Sequence, residues 1–117
     1  MTDEPPIALL RGDVVWAALG PTRGREQSGH RPAVIIASNG YLETVNSLAI
    51  VLPVTASDRG WSNHVLLEGP TGLDQRSFAM TEQIQTISRS RITGVAGALD
   101  RRTMTAIETY LAAFLDL

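Results

Sequence analysis

The chain has 117 residues, a formal net charge of −2, ten basic residues that are all arginine, and no cysteine. That length supports one domain with an ordinary core. The missing cysteines exclude disulfide frameworks, thiolate chemistry and cysteine-based zinc sites, and the slight acidity argues against a general nucleic-acid coat.

The opening MTDEPPIALLRGD carries acids before a short apolar run, the reverse of a signal peptide. No apolar run approaches membrane-spanning length, so a soluble, cytoplasmic protein without a membrane partner is expected. Residues 1–10 read as a flexible tail, because Pro5 and Pro6 prevent regular structure. The β-branched run GDVVWAAL (12–19) predicts a first strand, with Trp16 read as core ahead of the alternative, an exposed stacking platform. Residues 20–31 are rich in Gly, Pro and charge and predict a long loop. AVIIAS (33–38) is continuously apolar, the mark of a strand buried on both faces. NGYLETVN (39–46) holds a helical turn. SLAIVLPVT (47–55) predicts a third strand, in which Pro53 implies an edge or a bulge.

After a turn-rich loop at 57–63, HVLLE (64–68) predicts a fourth strand, and 69–77 a further loop. FAMTEQIQTIS (78–88) reads as a fifth strand, with Gln83 and Gln85 on one face and Glu82 and Ile84 on the other. RITGVAGAL (91–99) reads as a sixth, weakened by two glycines. Asp100 is a good N-cap for a last helix whose stripe is Met104, Ile107, Leu111, Phe114 and Leu115. The stripe serves the core or a subunit interface. The expected fold is mainly β: a small antiparallel barrel with a C-terminal helix packed on it.

The loop GREQSGHRP (24–32) concentrates the chemistry. Loops of 20–31 type are long for a compact barrel, and long loops on rigid sheets tend to carry function. Glu26 can serve as a general base. Arg31 can hold a phosphate and offset charge in a phosphorane-like transition state. His30 titrates near neutrality, and Gln27 and Ser28 can donate to phosphates or base edges. Acid, base and arginine together suit cleavage of RNA by its own 2′-hydroxyl. A solvated loop, with Glu26 paired to Arg31, is the competing reading. Thr55 by itself reads as a strand terminus. Trp61 is hard to bury in SDRGWSN and is a candidate partner contact. Asp58 and Arg59 read as turn residues, and Arg89, Arg91, Arg101 and Arg102 as a solvated face. His30 and His64 are too distant in sequence to signal a metal, and no Gly-rich phosphate loop occurs.

GDVVWAALGPTRGREQSGHRPAVIIAS, LPVTAS, TEQIQTI and the C-terminal helix together resemble the MazF/PemK (Kid) family of toxin endoribonucleases, over residues 11–117. The resemblance implies a single toxin domain there, with an SH3-like antiparallel barrel of CcdB/PemK type that forms a homodimer. It implies cleavage of single-stranded RNA, with sequence preference and without metal or other cofactor, to 2′,3′-cyclic phosphate and 5′-hydroxyl ends. It also implies a cognate antitoxin whose acidic, flexible tail occupies the RNA groove. On that pattern Arg31 and Thr55 are the central catalytic positions and Glu26 the loop glutamate, variously a base or a contact. Arg25, Gln27, Ser28, His30 and Gln83 fall at RNA-binding positions. Arg25 stands where the Kid branch has a histidine, and Met80 and Glu82 stand where it has an arginine and an aspartate, so the chain resembles the MazF branch. Arg25 and Arg31, with Arg11 or Arg23, would make the groove locally basic, and RNA binding would then be salt-sensitive. The rivals are a non-catalytic, protein-binding toxin of CcdB type and an inactive relative that retains only antitoxin binding.

Overall fold

Val14 and Val15 are neighbours that face opposite sides of a strand, and both are fully buried, so the sheet is covered on both faces. The computed structural model describes residues 7–20 and 29–117. It contains β1 (Asp13–Ala17), β2 (Arg31–Ile35), α1 (Asn39–Thr44), β3 (Leu48–Thr55), β4 (His64–Leu66), β5 (Phe78–Met80), β6 (Gln85–Ser88), a 3₁₀ turn (Arg89–Arg91), β7 (Ile92–Ala98) and α2 (Arg101–Leu115). The strands form one antiparallel sheet in the order β4-β5-β3-β2-β1-β7, with β6 also paired to β3. The outer strands β4 and β7 are not paired to each other among the described residues, so the expected barrel is left open.

Two apolar layers follow from strand alternation. Val15, Ala33, Ile35 and Val51 pack on one face with Leu42 of α1. Val34, Leu52, Val54 and Ala79 pack on the other with Ile107 and Leu111 of α2. This two-sided cover is what the unbroken run in AVIIAS predicts. Each fully buried branched side chain contributes about 1.5–3 kcal/mol. The regular ladder of β2 ends at Ile35, because Ile36 and Ala37 both direct their N–H to the Ile50 carbonyl. Leu9 joins the first layer, and the Leu10 N–H donates to the Asp13 carboxylate at 2.8 Å.

Three sequence expectations are corrected. Pro53 does not lie on an edge strand, since β3 has neighbours on both sides. One flank changes partner along its length: Leu48–Val51 pair with β6 and Val54–Thr55 with β5. Leu52 and Pro53 sit at the change, where the donor that proline lacks is not called on by that flank. Segment 78–88 is two strands rather than one. The Gln83 N–H turns back to the Met80 carbonyl at 3.0 Å, and Thr81 points inward to donate to the Asn63 carbonyl at 2.7 Å. The strict two-residue alternation expected for Glu82–Gln85 is thereby broken. Trp16, expected in the core, is 37% exposed.

The Asp100 carboxylate caps α2 by accepting from the Thr103 N–H at 2.8 Å and its hydroxyl at 2.6 Å. Along the helix stripe, Ile107 and Leu111 are buried while Phe114 and Leu115 are about half exposed. Among the described residues no helix is long and apolar enough to cross a membrane.

Candidate functional site

Arg31 opens β2 and Thr55 closes β3. The β2–β3 register pairs Ile35 with Val51, Val34 with Leu52 and Ala33 with Pro53. Followed two residues further, it sets Arg31 level with Thr55. Ala17 pairs with Arg31 from β1, and Phe78 with Thr55 from β5, so four strands contribute to one row. Arg31 and Thr55 line a common cleft of about 480 Å³, together with Trp16, Pro32 and Ser57. Arg31 is exposed and Thr55 half-buried, which leaves a guanidinium and a hydroxyl open to a ligand. The Thr55 hydroxyl also accepts from the Ser57 N–H at 3.1 Å, tying the start of the next loop to the strand end.

The far wall is the loop between β4 and β5, through Gly72, Leu73, Asp74 and Gln75. Gly72 has φ +76°, and a Cβ on it would overlap the Ala96 carbonyl of β7. A Cβ on Gly97 would overlap the Pro70 carbonyl in turn. Of the two glycines that weaken β7 in a propensity reading, Gly97 is therefore the one that lets this loop lie against the strand. Asp74 brings a carboxylate into the cleft that holds Arg31.

Of the residues singled out from sequence, Arg31 and Thr55 come together. Arg25, Glu26, Gln27 and Ser28 lie outside the described residues. His30 is exposed beside Arg31 and is not among the residues lining the cleft. Gln83 lies in the turn after β5, away from the cleft lining. Arg11, considered for the groove, is committed elsewhere: it pairs with Glu108 of α2 at 2.7 Å and donates to the Ile36 carbonyl. Asp74 and Gln75 were missed as site residues, and Trp16 lines the cleft, in line with its second reading as an exposed platform rather than with its first as core. The loop composition of 69–77 carries no signal for which strand ends it approaches.

A second polar cluster gathers around Glu82. His64 Nε2 stands 3.1 Å from both carboxylate oxygens, Asn63 Nδ2 2.9 Å from one, and Gln83 Nε2 3.2 Å from the other. Burial opposes ionisation of Glu82, but the hydrogen bonds from His64, from its own backbone N–H and from Gln83 outweigh it and hold the carboxyl below its ordinary value. The His64 side chain is only 2% exposed, and its Nδ1 has no partner among the described residues. A proton on Nε2 donates to the carboxylate and leaves Nδ1 a bare lone pair. That is the less costly of the two nitrogens' states to bury. Among the described residues no group of three His, Cys, Asp or Glu is placed to hold a metal ion.

The chain matches the family model described as PemK-like, MazF-like toxin of type II toxin-antitoxin system, over residues 10–115. It is 34% identical over 114 residues to endoribonuclease EndoA of Bacillus subtilis (strain 168), covering 95% of this chain and 97% of the relative. Its fold superposes on MazF from Deinococcus radiodurans with a TM-score of 0.77 at 23% identity, covering 95% of this chain and 99% of that one. It superposes equally, with a TM-score of 0.77 at 24% identity, on a mycobacterial endoribonuclease solved in complex with its cognate antitoxin, covering 94% and 97%.

Proposed function

The chain belongs to the PemK-like, MazF-like toxins of type II toxin–antitoxin systems, and from that premise we propose that it is an endoribonuclease that cleaves single-stranded RNA, mRNA above all, and so arrests translation and growth. The observation that carries this reading is Arg31 level with Thr55 in one open cleft.

In the proposed reaction the ribose 2′-oxygen attacks the adjacent phosphorus and the bond from phosphorus to the 5′-oxygen breaks. The 2′ proton passes to a base, for which Glu26 is the candidate, and the leaving 5′-oxygen gains a proton. The products are a 2′,3′-cyclic phosphate and a 5′-hydroxyl. Arg31 offsets the charge that accumulates on the non-bridging oxygens, and the Thr55 hydroxyl donates to one of them. The RNA supplies its own nucleophile, so no metal-activated water is required. Arg25, Gln27, Ser28, His30 and Gln83 are proposed to hold the strand on either side. Residues 11–117 act as one toxin domain, and Leu9 just before them packs into its first apolar layer rather than lying in a tail.

The proposed partners are the RNA, a second copy of this chain, and a cognate antitoxin whose acidic tail competes for the arginine-bearing cleft. The half-exposed Phe114 and Leu115 supply apolar surface for the second copy. The substrate places the toxin in the cytoplasm. Incubation of a long single-stranded RNA with the pure, folded protein in excess EDTA tests the reading. Discrete fragments ending in cyclic phosphate support it. Intact RNA favours a protein-binding toxin or an inactive relative.

A further inference from the structure

Trp61 is 50% exposed, yet the loop that carries it is tightly built. At one end the Ser57 N–H is tied to the Thr55 hydroxyl. In the middle Asp58 accepts from the Gly60 N–H at 2.9 Å, with Gly60 at φ +74°. At the far end the His64 N–H returns to the Trp61 carbonyl at 3.1 Å. The Trp61 ring leans on His64, with centroids 4.8 Å apart and planes at 51°, and the Arg59 guanidinium lies 5.8 Å from its centroid. His64 is held in turn by Glu82. A large aromatic kept in water on a rigid loop, with a cation beside it, is the arrangement that stacks unpaired bases.

The polar groups next to it define what such a base would carry. An ionised carboxylate only accepts, so Asn63 and Gln83 both turn their NH₂ groups toward Glu82. Their carbonyl oxygens are left with no partner among the described residues, and these with Glu82 form an edge of acceptors. Uracil presents two carbonyls around one N–H and matches that edge poorly. Adenine, cytosine and guanine each bring an exocyclic amino group. An acidic peptide tail brings further acceptors and is repelled by the same edge. Ser57 lines the cleft and Trp61 is four residues along, at most about 14 Å away, within reach of a strand bound at Arg31.

The geometry points to a base-binding subsite in which Trp61 stacks one nucleobase of the RNA, and Asn63, Glu82 and Gln83 accept from its exocyclic amino group. This rests on the ribonuclease reading above, and binding and cleavage are therefore measured separately. The binding probes are short 2′-O-methyl homo-oligonucleotides of A, C, G and U, which lack the attacking hydroxyl, followed by anisotropy on wild type, Trp61→Ala and Trp61→Phe. The A, C and G probes should bind more tightly than U. Trp61→Ala should weaken that binding by about tenfold or more, and Trp61→Phe should retain most of it at unchanged thermal stability.

Equal binding by wild type and Trp61→Ala overturns the subsite, while RNA cleavage by wild type leaves the enzyme reading standing. Tightest binding of the U probe overturns the amino-group assignment. Loss of oligoglutamate binding in Trp61→Ala, with RNA binding intact, overturns it in favour of a protein contact. Wild type that neither binds nor cleaves any RNA removes both readings together.

Discussion

Arg31 begins β2 level with the end of β3 at Thr55, and the two line one cleft although 24 positions separate them in the chain. A cation and a hydroxyl held on adjacent strands cost little reorganisation when a phosphate arrives, because the ladder fixes both backbones before binding.

Arg31→Ala should lower the cleavage rate by about 10²–10³, with thermal stability within about 0.5 kcal/mol of wild type, as expected for an exposed side chain. Arg31→Lys keeps the charge but loses the planar fork, and should recover only part of the rate. Single-turnover kinetics with thermal unfolding of the same preparations checks both. An unfolded Arg31→Ala protein would make the residue structural.

Thr55 has a proposed role in the reaction and an observed one in the loop, since its hydroxyl accepts from the Ser57 N–H. Thr55→Ser keeps the hydroxyl and should stay within about tenfold of wild type, whereas Thr55→Val keeps the shape and should lose about 10²-fold or more. Amide exchange at Ser57 distinguishes loosening of the loop from loss of the donor. A Thr55→Val enzyme with wild-type rate removes the hydroxyl from the chemistry.

Gly72→Ala should destabilise the fold by about 1–3 kcal/mol, because it adds a Cβ at φ +76° against the Ala96 carbonyl. The wall containing Asp74 would have to move off β7, so KM for RNA should rise before kcat falls. Gly94→Ala is the control on the same strand, as a Cβ there meets nothing within 4 Å. Chemical denaturation and steady-state kinetics on the two variants decide the matter.

The protein should lose stability as pH falls below about 4.5. Hydrogen bonds in the folded state, outweighing the opposing burial, lower the Glu82 carboxyl from its ordinary 4.5. The Thr103 hydroxyl and N–H lower that of Asp100 from 3.8. A depressed carboxyl contributes stability that is present above its unfolded value and is lost as the pH falls through the folded one. Denaturation at pH 6 and pH 3 should show the drop, and the double variant Glu82→Gln, Asp100→Asn should make it smaller. An unchanged drop would assign the acid sensitivity to other groups.

Several features were legible because they depend on local chemistry. Asp100 before an amphipathic run marks the start of α2, and the β-branched pairs of β1 and β3 mark strands wherever they pack. The unbroken run at 33–38 announces burial on both faces, and the sheet is layered on both. Other features depend on neighbours far along the chain. Trp16 reads as core by composition, but at its place in β1 one side of it faces the cleft. Arg11 reads as a spare cation until α2 brings Glu108 to it. The turn at 81–84 exists because Thr81 satisfies the Asn63 carbonyl, a partner 18 residues away.

By itself the sequence determined the element types, the mostly β architecture with its last helix, and the family, through a long motif in which Arg31 and Thr55 hold set positions. Strand propensity, capping and motif spacing are properties of a few adjacent residues. The tertiary structure alone decided that Arg31 and Thr55 share a cleft and that loop 69–77 forms its other wall. It alone placed Glu82 so as to organise the neighbourhood of Trp61. Strand register and the packing of loops onto strand ends are settled by the joint burial of both faces of the sheet, and no short stretch of sequence contains that sum.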